Sequence, residues 1–208
     1  MIVQWCLKGM SLDGDAEARR IIDQRAGLIS NWWRKVKKIT PAEVRERLTD
    51  ANLDLHVNHF SAIDPATDRP FSEHSPFISL SAGTIERDTE ARTNHVHSAL
   101  QTALWYGSEF GMKQTAYLYT CWLVVAPRPA VEIDGVAEEV RDLNAYRRYS
   151  AYQTEGEIVA KVHVPDNHIR DCQKWTVIPC RGIINREWVH ENPRFTTPEM
   201  LSNVRGLI

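Results

Sequence analysis

The run Thr115–Val125, rich in Tyr, Thr, Trp and Val, constrains the fold of this chain most. Aromatic and β-branched side chains suit a pleated, buried surface, and Pro127 and Pro129 end the run, so it reads as a strand. Shorter strands are expected around it. Leu53, Leu55 and Val57 alternate with Asp54, His56 and Asn58, the period of a half-buried strand. Phe77–Ser81 and Trp175–Ile178 read as strands, Glu157 opens another that runs to Val164, and Val131–Ile133 is a short one. One long helix separates them, Asn94–Phe110, with Val96, Leu100, Ala103 and Leu104 at helical spacing and Gly111 as its stop. Gly135–Leu143 reads as a short helix and Pro165–Ile169 as a turn, while the polar stretch from Arg181 shows no clear period.

The N-terminal third has a different pattern. Residues 14–39 read as a helix with an apolar stripe of Ala18, Ile21, Ile22, Leu28 and Ile29, running into Trp32–Lys38. Thr40-Pro41-Ala42-Glu43 combines a capping threonine, a proline at the first helical position and a glutamate at the third, and this second helix ends near Leu48. Helices first, then strands separated by one long helix, imply an α+β domain and not a regular βαβ repeat. The expected organisation is a helical segment over residues 1–50 and a core over 51–208, together one compact domain.

Several function classes lack support. A formal net charge of −2 gives no global electrostatic case for a nucleic-acid or membrane partner. No apolar run approaches the roughly 20 residues of a membrane span, and Met1–Cys6 has none of the parts of a signal peptide. Cys6, Cys121, Cys172 and Cys180 are scattered without a CxxC pair, which reads as reduced thiols in a cytoplasmic protein. Glycine loops of the GxGxxG and GxxxxGK[ST] types are absent. His95, His97, His163 and His168 lack an HExxH arrangement, so no metal is expected. Trp32–Lys38 interleaves indoles with cations in a way that suits single-stranded nucleic acid, but a helix with core-facing tryptophans and solvated lysines explains it better.

The chemistry points to Ser150–Ala160. Glu155 and Glu157 lie two positions apart at the mouth of an apolar run, which places both on one side of a strand. Two carboxylates so placed repel each other, and one is expected to have a raised pKa. Tyr146, Tyr149 and Tyr152 precede them as an aromatic platform.

Three pieces occur in a set order: Val57-Asn58-His59-Phe60-Ser61, then Phe77-Ile78-Ser79-Leu80-Ser81, then Tyr152-Gln153-Thr154-Glu155-Gly156-Glu157. Over roughly residues 53 to 178 this resembles the ADP-ribosyltransferase superfamily, the NAD-using toxins and their relatives. That family carries an Arg or His on its first core strand, a Ser-Thr-Ser-like strand and a Glu-x-Glu or Gln-x-Glu pair, often with an aromatic residue five positions before the catalytic glutamate. The resemblance implies two packed, mostly antiparallel β-sheets around an NAD cleft. It implies Glu157 as the catalytic carboxylate and Glu155 as the residue facing the acceptor. Ser79 would orient the catalytic carboxylate, with Ser81 beside it. His59, or His56 by a shift of three, would stand at the first motif, and Tyr152 would stack on the acceptor or shield the ribose. Two departures stand out: Leu80 replaces the central Thr, and no arginine occupies the first-strand position. Arg69 and Arg87 are candidates for the missing charge.

The function so implied is mono-ADP-ribosyl transfer from NAD to a protein or nucleic acid by an intracellular toxin or defence effector, held in check by an antitoxin or immunity protein. NAD hydrolysis on the same fold and a non-catalytic nucleic-acid-binding module are the alternatives.

Overall fold

The computed structural model describes residues 2–36, 40–65, 67–82, 84–88, 93–97, 99–125, 136–139 and 156–198. In chain order the first elements are β1 (Ile2–Met10), α1 (Asp15–Asp23), β2 (Leu28–Ile29), α2 (Asn31–Lys35), α3 (Pro41–Arg47) and α4 (Asp50–Asn58). Next come β3 (Ile63–Asp64), β4 (Arg69–Pro70), β5 (Phe77–Ser81), β6 (Thr84–Asp88), β7 (Thr93–His97), α5 (Ala99–Gly107) and β8 (Thr115–Val125). The remaining strands are β9 (Val136–Glu139), β10 (Glu157–Lys161), β11 (His163–Val164), β12 (Ile169–Ile178) and β13 (Ile183–Glu191).

Seven strands pair in the order β1-β5-β10-β9-β8-β12-β13, and β1 also pairs with β8. The arrangement is α+β and, apart from the parallel contact of β8 with β9, antiparallel. One antiparallel group, β1-β8-β12-β13, meets a second, β5-β10-β9, at the β1–β5 and β8–β9 pairings. Alternation along each strand decides what faces the shared core. Tyr117, Tyr119, Cys121 and Leu123 of β8 meet Ile78, Leu80, Ile158 and Ala160 of the second group, with Ala18 and Ile22 of α1 closing the layer. On the opposite face of β8, Ala116 and Leu118 pack on Ala103 and Leu104 of α5. Phe77 and Val159 turn away from the shared core to receive Leu53 and Val57 of α4.

Several sequence expectations hold. Phe77–Ser81 and Thr115–Val125 are strands over the expected residues, and α3 carries the full capping box between Thr40 and Glu43. Others are overturned. The first fifty residues are not helical throughout, because Ile2–Met10 is a strand in the middle of the sheet. The helix expected over 14–39 is interrupted by Arg25 (φ 57°) and Gly27 (φ 66°), and the chain then pairs as β2 with β11. The strand expected at Leu53–Val57 is helix α4. Thr49 caps it through the Asn52 N–H, and the buried side chains Leu53, His56 and Val57 follow helical spacing. Asn94–His97 belongs to a hairpin strand, so the helix expected over 94–110 begins at Ala99. Val136–Glu139 is a strand, not the expected helix. Trp175–Ile178 is the end of the longer β12, and Ile183–Glu191 adds an edge strand. Val131–Ile133 lies outside the described residues.

Helix α5 crosses β1 at its glycine. A Cβ at Gly9 would run into the backbone carbonyl of Ala103, and one at Gly107 would sit tightly, 3.1 Å from Met10 N. Backbone obstacles cannot rotate away as a side chain can. Gly9→Ala is therefore expected to lower the free energy of urea unfolding by about 1–3 kcal/mol through forced separation of α5 from β1, as read by circular dichroism.

Candidate functional site

The pairing of β1, β5 and β10 builds the site. Leu7 lies opposite Ser81, and Ser81 lies opposite Glu157, so these side chains share one face of three adjacent strands. Glu157 opens β10 directly after Gly156, whose φ of 59° favours glycine. Glu157 is buried to 9% exposure, with Ser81 at 7% beside it. Both line a cleft of about 960 Å³ together with Ser79, His56 and Lys8. That volume is at the upper end of the range for ligand pockets, roughly 300–1,000 Å³. One wall comes from the turn into α2, through Ser30, Asn31 and Arg34. Residues of α5 and the turn after it also line the cleft, as does Phe60.

His56 is locked between two hydroxyls. Its Nδ1 is 2.8 Å from Ser75 Oγ, and its Nε2 is 2.8 Å from Ser79 Oγ. Phe60 and Phe77 pack on the ring. Burial, reinforced by the charge of Lys8, pushes the imidazole pKa down to about 3. His56 is therefore neutral at physiological pH, with one ring nitrogen donating and the other accepting.

Lys8 brings a cation from β1 to the site. Burial pulls its pKa from 10.5 down to about 8, opposed by the attraction of Glu157 and assisted by repulsion from Arg34. Folding thus weakens the hold on this proton. The resulting stability penalty is complete below about pH 8 and fades as pH rises toward 10.5, the ordinary value. A desolvated ammonium, an exposed guanidinium and a buried carboxylate thus face one another across the cleft.

The structure brings together Glu157, Ser79, Ser81 and His56 from the sequence analysis, and it separates His59 from them. His59 is exposed at the C-terminal end of α4, and the cleft is lined by His56 instead. The expectation of a histidine on the first core strand is overturned for both residues, because α4 is a helix. The first core strand is β1, and the polar residue it brings to the cleft is Lys8. Arg69 is exposed on β4 and is not among the cleft residues. Glu155 and Tyr152 lie outside the described residues, as does the side chain of Arg87. Lys8, Asn31 and Arg34 also line the cleft, and no sequence motif marks them as site residues. A signal for Lys8 existed in Ile2-Val3-Gln4-Trp5-Cys6-Leu7, a β-prone run at the start of the chain.

An alignment with the solved structure of EcPltA, an ADP-ribosyltransferase toxin, spans 94% of this chain and 89% of that one, with a TM-score of 0.53 and 15% identity. Two structures of a heat-labile enterotoxin also align. One covers 91% of this chain and 62% of its own (TM-score 0.45, 19% identity). The other covers 92% and 75% (TM-score 0.44, 17% identity). No protein-family model matches the chain, and no curated protein matches it in sequence. The chain has an ADP-ribosyltransferase-like fold.

The His56 ring provides a direct check of the site. In a histidine-detected NMR titration, its resonances are expected to stay fixed between pH 5 and 8, since burial holds its pKa near about 3.

Proposed function

We propose that this chain is a mono-ADP-ribosyltransferase that moves ADP-ribose from NAD to a protein or nucleic acid. The observation that carries the reading is the convergence of Glu157, Ser81, Ser79, His56 and Lys8 on one cleft within an ADP-ribosyltransferase-like fold.

The reaction breaks the bond between the nicotinamide nitrogen and the ribose C1, and the electron pair leaves with nicotinamide. Positive charge then builds on the ribose. Glu157, fixed in a largely dry site, is suited to stabilise that charge and to accept a hydrogen bond from a ribose hydroxyl. An acceptor nucleophile forms the new bond to C1 and gives up a proton. Glu155, two residues before Glu157, is the proposed base for that step. Ser75 and Ser79 hold the neutral His56 ring in place at the wall of the cleft. Lys8 and Arg34 supply the positive charge for the diphosphate. Lys8 replaces the arginine of the family pattern and, unlike an arginine, it can lose its charge.

The reading as a nucleic-acid-binding module through Trp32–Lys38 is weakened because Trp32 is buried against Val44 and Val162. Among the described residues no helix is long and apolar enough to cross a membrane. We place the activity in the cytoplasm, as that of a toxin or defence effector, and such an activity calls for a neutralising protein partner.

The test is nicotinamide release and transfer of label from NAD to cell extract, with Glu157→Gln beside the natural chain. The variant is expected to lose at least about a hundredfold in kcat, the loss that accompanies removal of one stabilising group. Equal activity in both proteins refutes the role of Glu157. Nicotinamide release without labelled macromolecule identifies a hydrolase, and sensitivity of the label to nuclease or protease identifies the acceptor.

The pH profile tests Lys8. Its ammonium is charged below about pH 8 and neutral above it, so kcat/KM for NAD is expected to fall on the alkaline side of that value. Lys8→Arg keeps its charge and should remove this limb. The same alkaline fall in both proteins assigns the limb to another group.

A further inference from the structure

Ser75 stands behind the cleft and is not among the residues that line it. It lies between the short helical turn Phe71–Glu73 and β5, and it is 1% exposed. Its backbone is held from two sides. The Trp32 N–H at the start of α2 donates to Ser75 O at 3.0 Å, and the Val162 N–H after β10 donates to Pro76 O at 2.8 Å. Pro76 also biases the residue before it toward extended backbone. In this turn Ser75 Oγ accepts the Phe77 N–H, two residues on, at 3.2 Å. The hydroxyl is therefore fixed in place before it meets His56.

A serine hydroxyl has one proton to give and two lone pairs with which to accept. Among the described residues Ser75 Oγ has two partners, the Phe77 N–H and His56 Nδ1. The backbone N–H can only donate, so it takes one lone pair. His56 Nδ1 then either donates to the second lone pair or accepts the hydroxyl proton. If Nδ1 donated, both partners of Ser75 would be donors and its own buried proton would find no acceptor in either, which is costly. If Nδ1 accepts, every group is satisfied. A neutral imidazole carries one proton, and that proton then sits on Nε2, directed at Ser79 Oγ 2.8 Å away. Phe60 and Phe77 pack on the ring at centroid distances of 5.2 and 5.6 Å, so it is held in the plane that both hydroxyls require. Ser79 accepts from His56 and keeps its own proton for the cleft, which it lines with Glu157. A proton left over there costs little, because water or a ligand can reach it.

We infer that Ser75 is a positioning residue: its hydroxyl fixes His56 as the Nε2–H tautomer and so turns Ser79 into a hydrogen-bond donor toward the cleft. Its effect on catalysis rests on the functional reading above, whereas the tautomer does not. The three groups form a one-way chain, each donating to the next, from the back of the site to its open face. With the opposite tautomer Ser79 would spend its proton on Nε2 and offer the cleft lone pairs alone. With the assigned one it matches acceptors, either a carboxylate such as that of Glu157 or an oxygen of the bound substrate.

The test is nitrogen-15 NMR of the imidazoles in the full chain at neutral pH, where protonated and bare ring nitrogens resonate far apart. His56 is expected as a single tautomer with its proton on Nε2. Ser75→Ala should replace this form with a mixture of both tautomers, and Ser75→Thr, which keeps the hydroxyl, should retain it. In NAD cleavage, Ser75→Ala should lower kcat about tenfold with KM within about twofold, and Ser75→Thr should recover kcat to within about threefold. A role in folding alone would lower the melting temperature and leave the tautomer unchanged. Should Ser75→Ala not fold, Ser75→Cys, with its weaker donor, is expected to shift tautomer and kcat the same way in smaller measure. A proton on Nδ1 in the natural chain, or an unchanged tautomer or kcat in the folded variant, overturns the inference. The Nε2–H form in a chain that does not cleave NAD leaves the hold of Ser75 on His56 standing and removes the functional reading. NAD cleavage with the proton on Nδ1 does the reverse.

Discussion

The ladder between β1 and β8 is the contact on which the rest of the structure depends. It runs in register from Ile2 opposite Val125 to Met10 opposite Tyr117 and seats the start of the chain at the centre of the sheet. With β1 fixed there, the pairing of Leu7 with Ser81 joins the two antiparallel groups at one junction, the β8–β9 contact being the other, and β10 then brings Glu157 to the same face. Gly9 lets α5 lie directly on this strand and form a wall of the cleft. Backbone hydrogen bonds thus set the positions of the charged and polar groups before any side chain chooses a rotamer.

The cleft is electrostatically unfavourable to fold. Lys8 keeps its charge against desolvation, with Glu157 supporting it and Arg34 opposing it. His56 is dry enough to stay neutral, and its two hydroxyl partners satisfy both ring nitrogens without a charge. A site that desolvates a cation and imposes left-handed backbone on Phe110 lowers the stability of the native state. The layers packed around Tyr119, Leu123 and Ile158 on one side of the sheet and around Leu118 and Leu104 on the other supply the opposing stabilisation.

How far the sequence could be read depended on whether local and tertiary preferences agreed. Thr115–Val125 is legible because its aromatic and β-branched side chains face packed layers on both sides, and α3 because its cap is entirely local. The segment around His56 was misread because Leu53, Leu55 and Val57 fit a two-residue period, while Leu53, His56 and Val57 fit a helical one. Burial against Phe77 and Val159 favours the helical choice. Strand β1 was overlooked because Gln4, Lys8 and Gly9 dilute its apolar pattern, although each is explained by its place in the fold.

By itself, the sequence determined the α+β class, the polar Phe77–Ser81 strand, and the carboxylate at the head of the β10 run. These are features of short segments whose residue types act on their own neighbourhood. Only the tertiary structure decided that His56, and not His59, reaches the cleft, and that Lys8, from the start of the chain, brings positive charge to it. The reason is physical. Which strand lies beside which, and which face of a helix is dry, follow from pairing and burial between distant segments, and no local period encodes them.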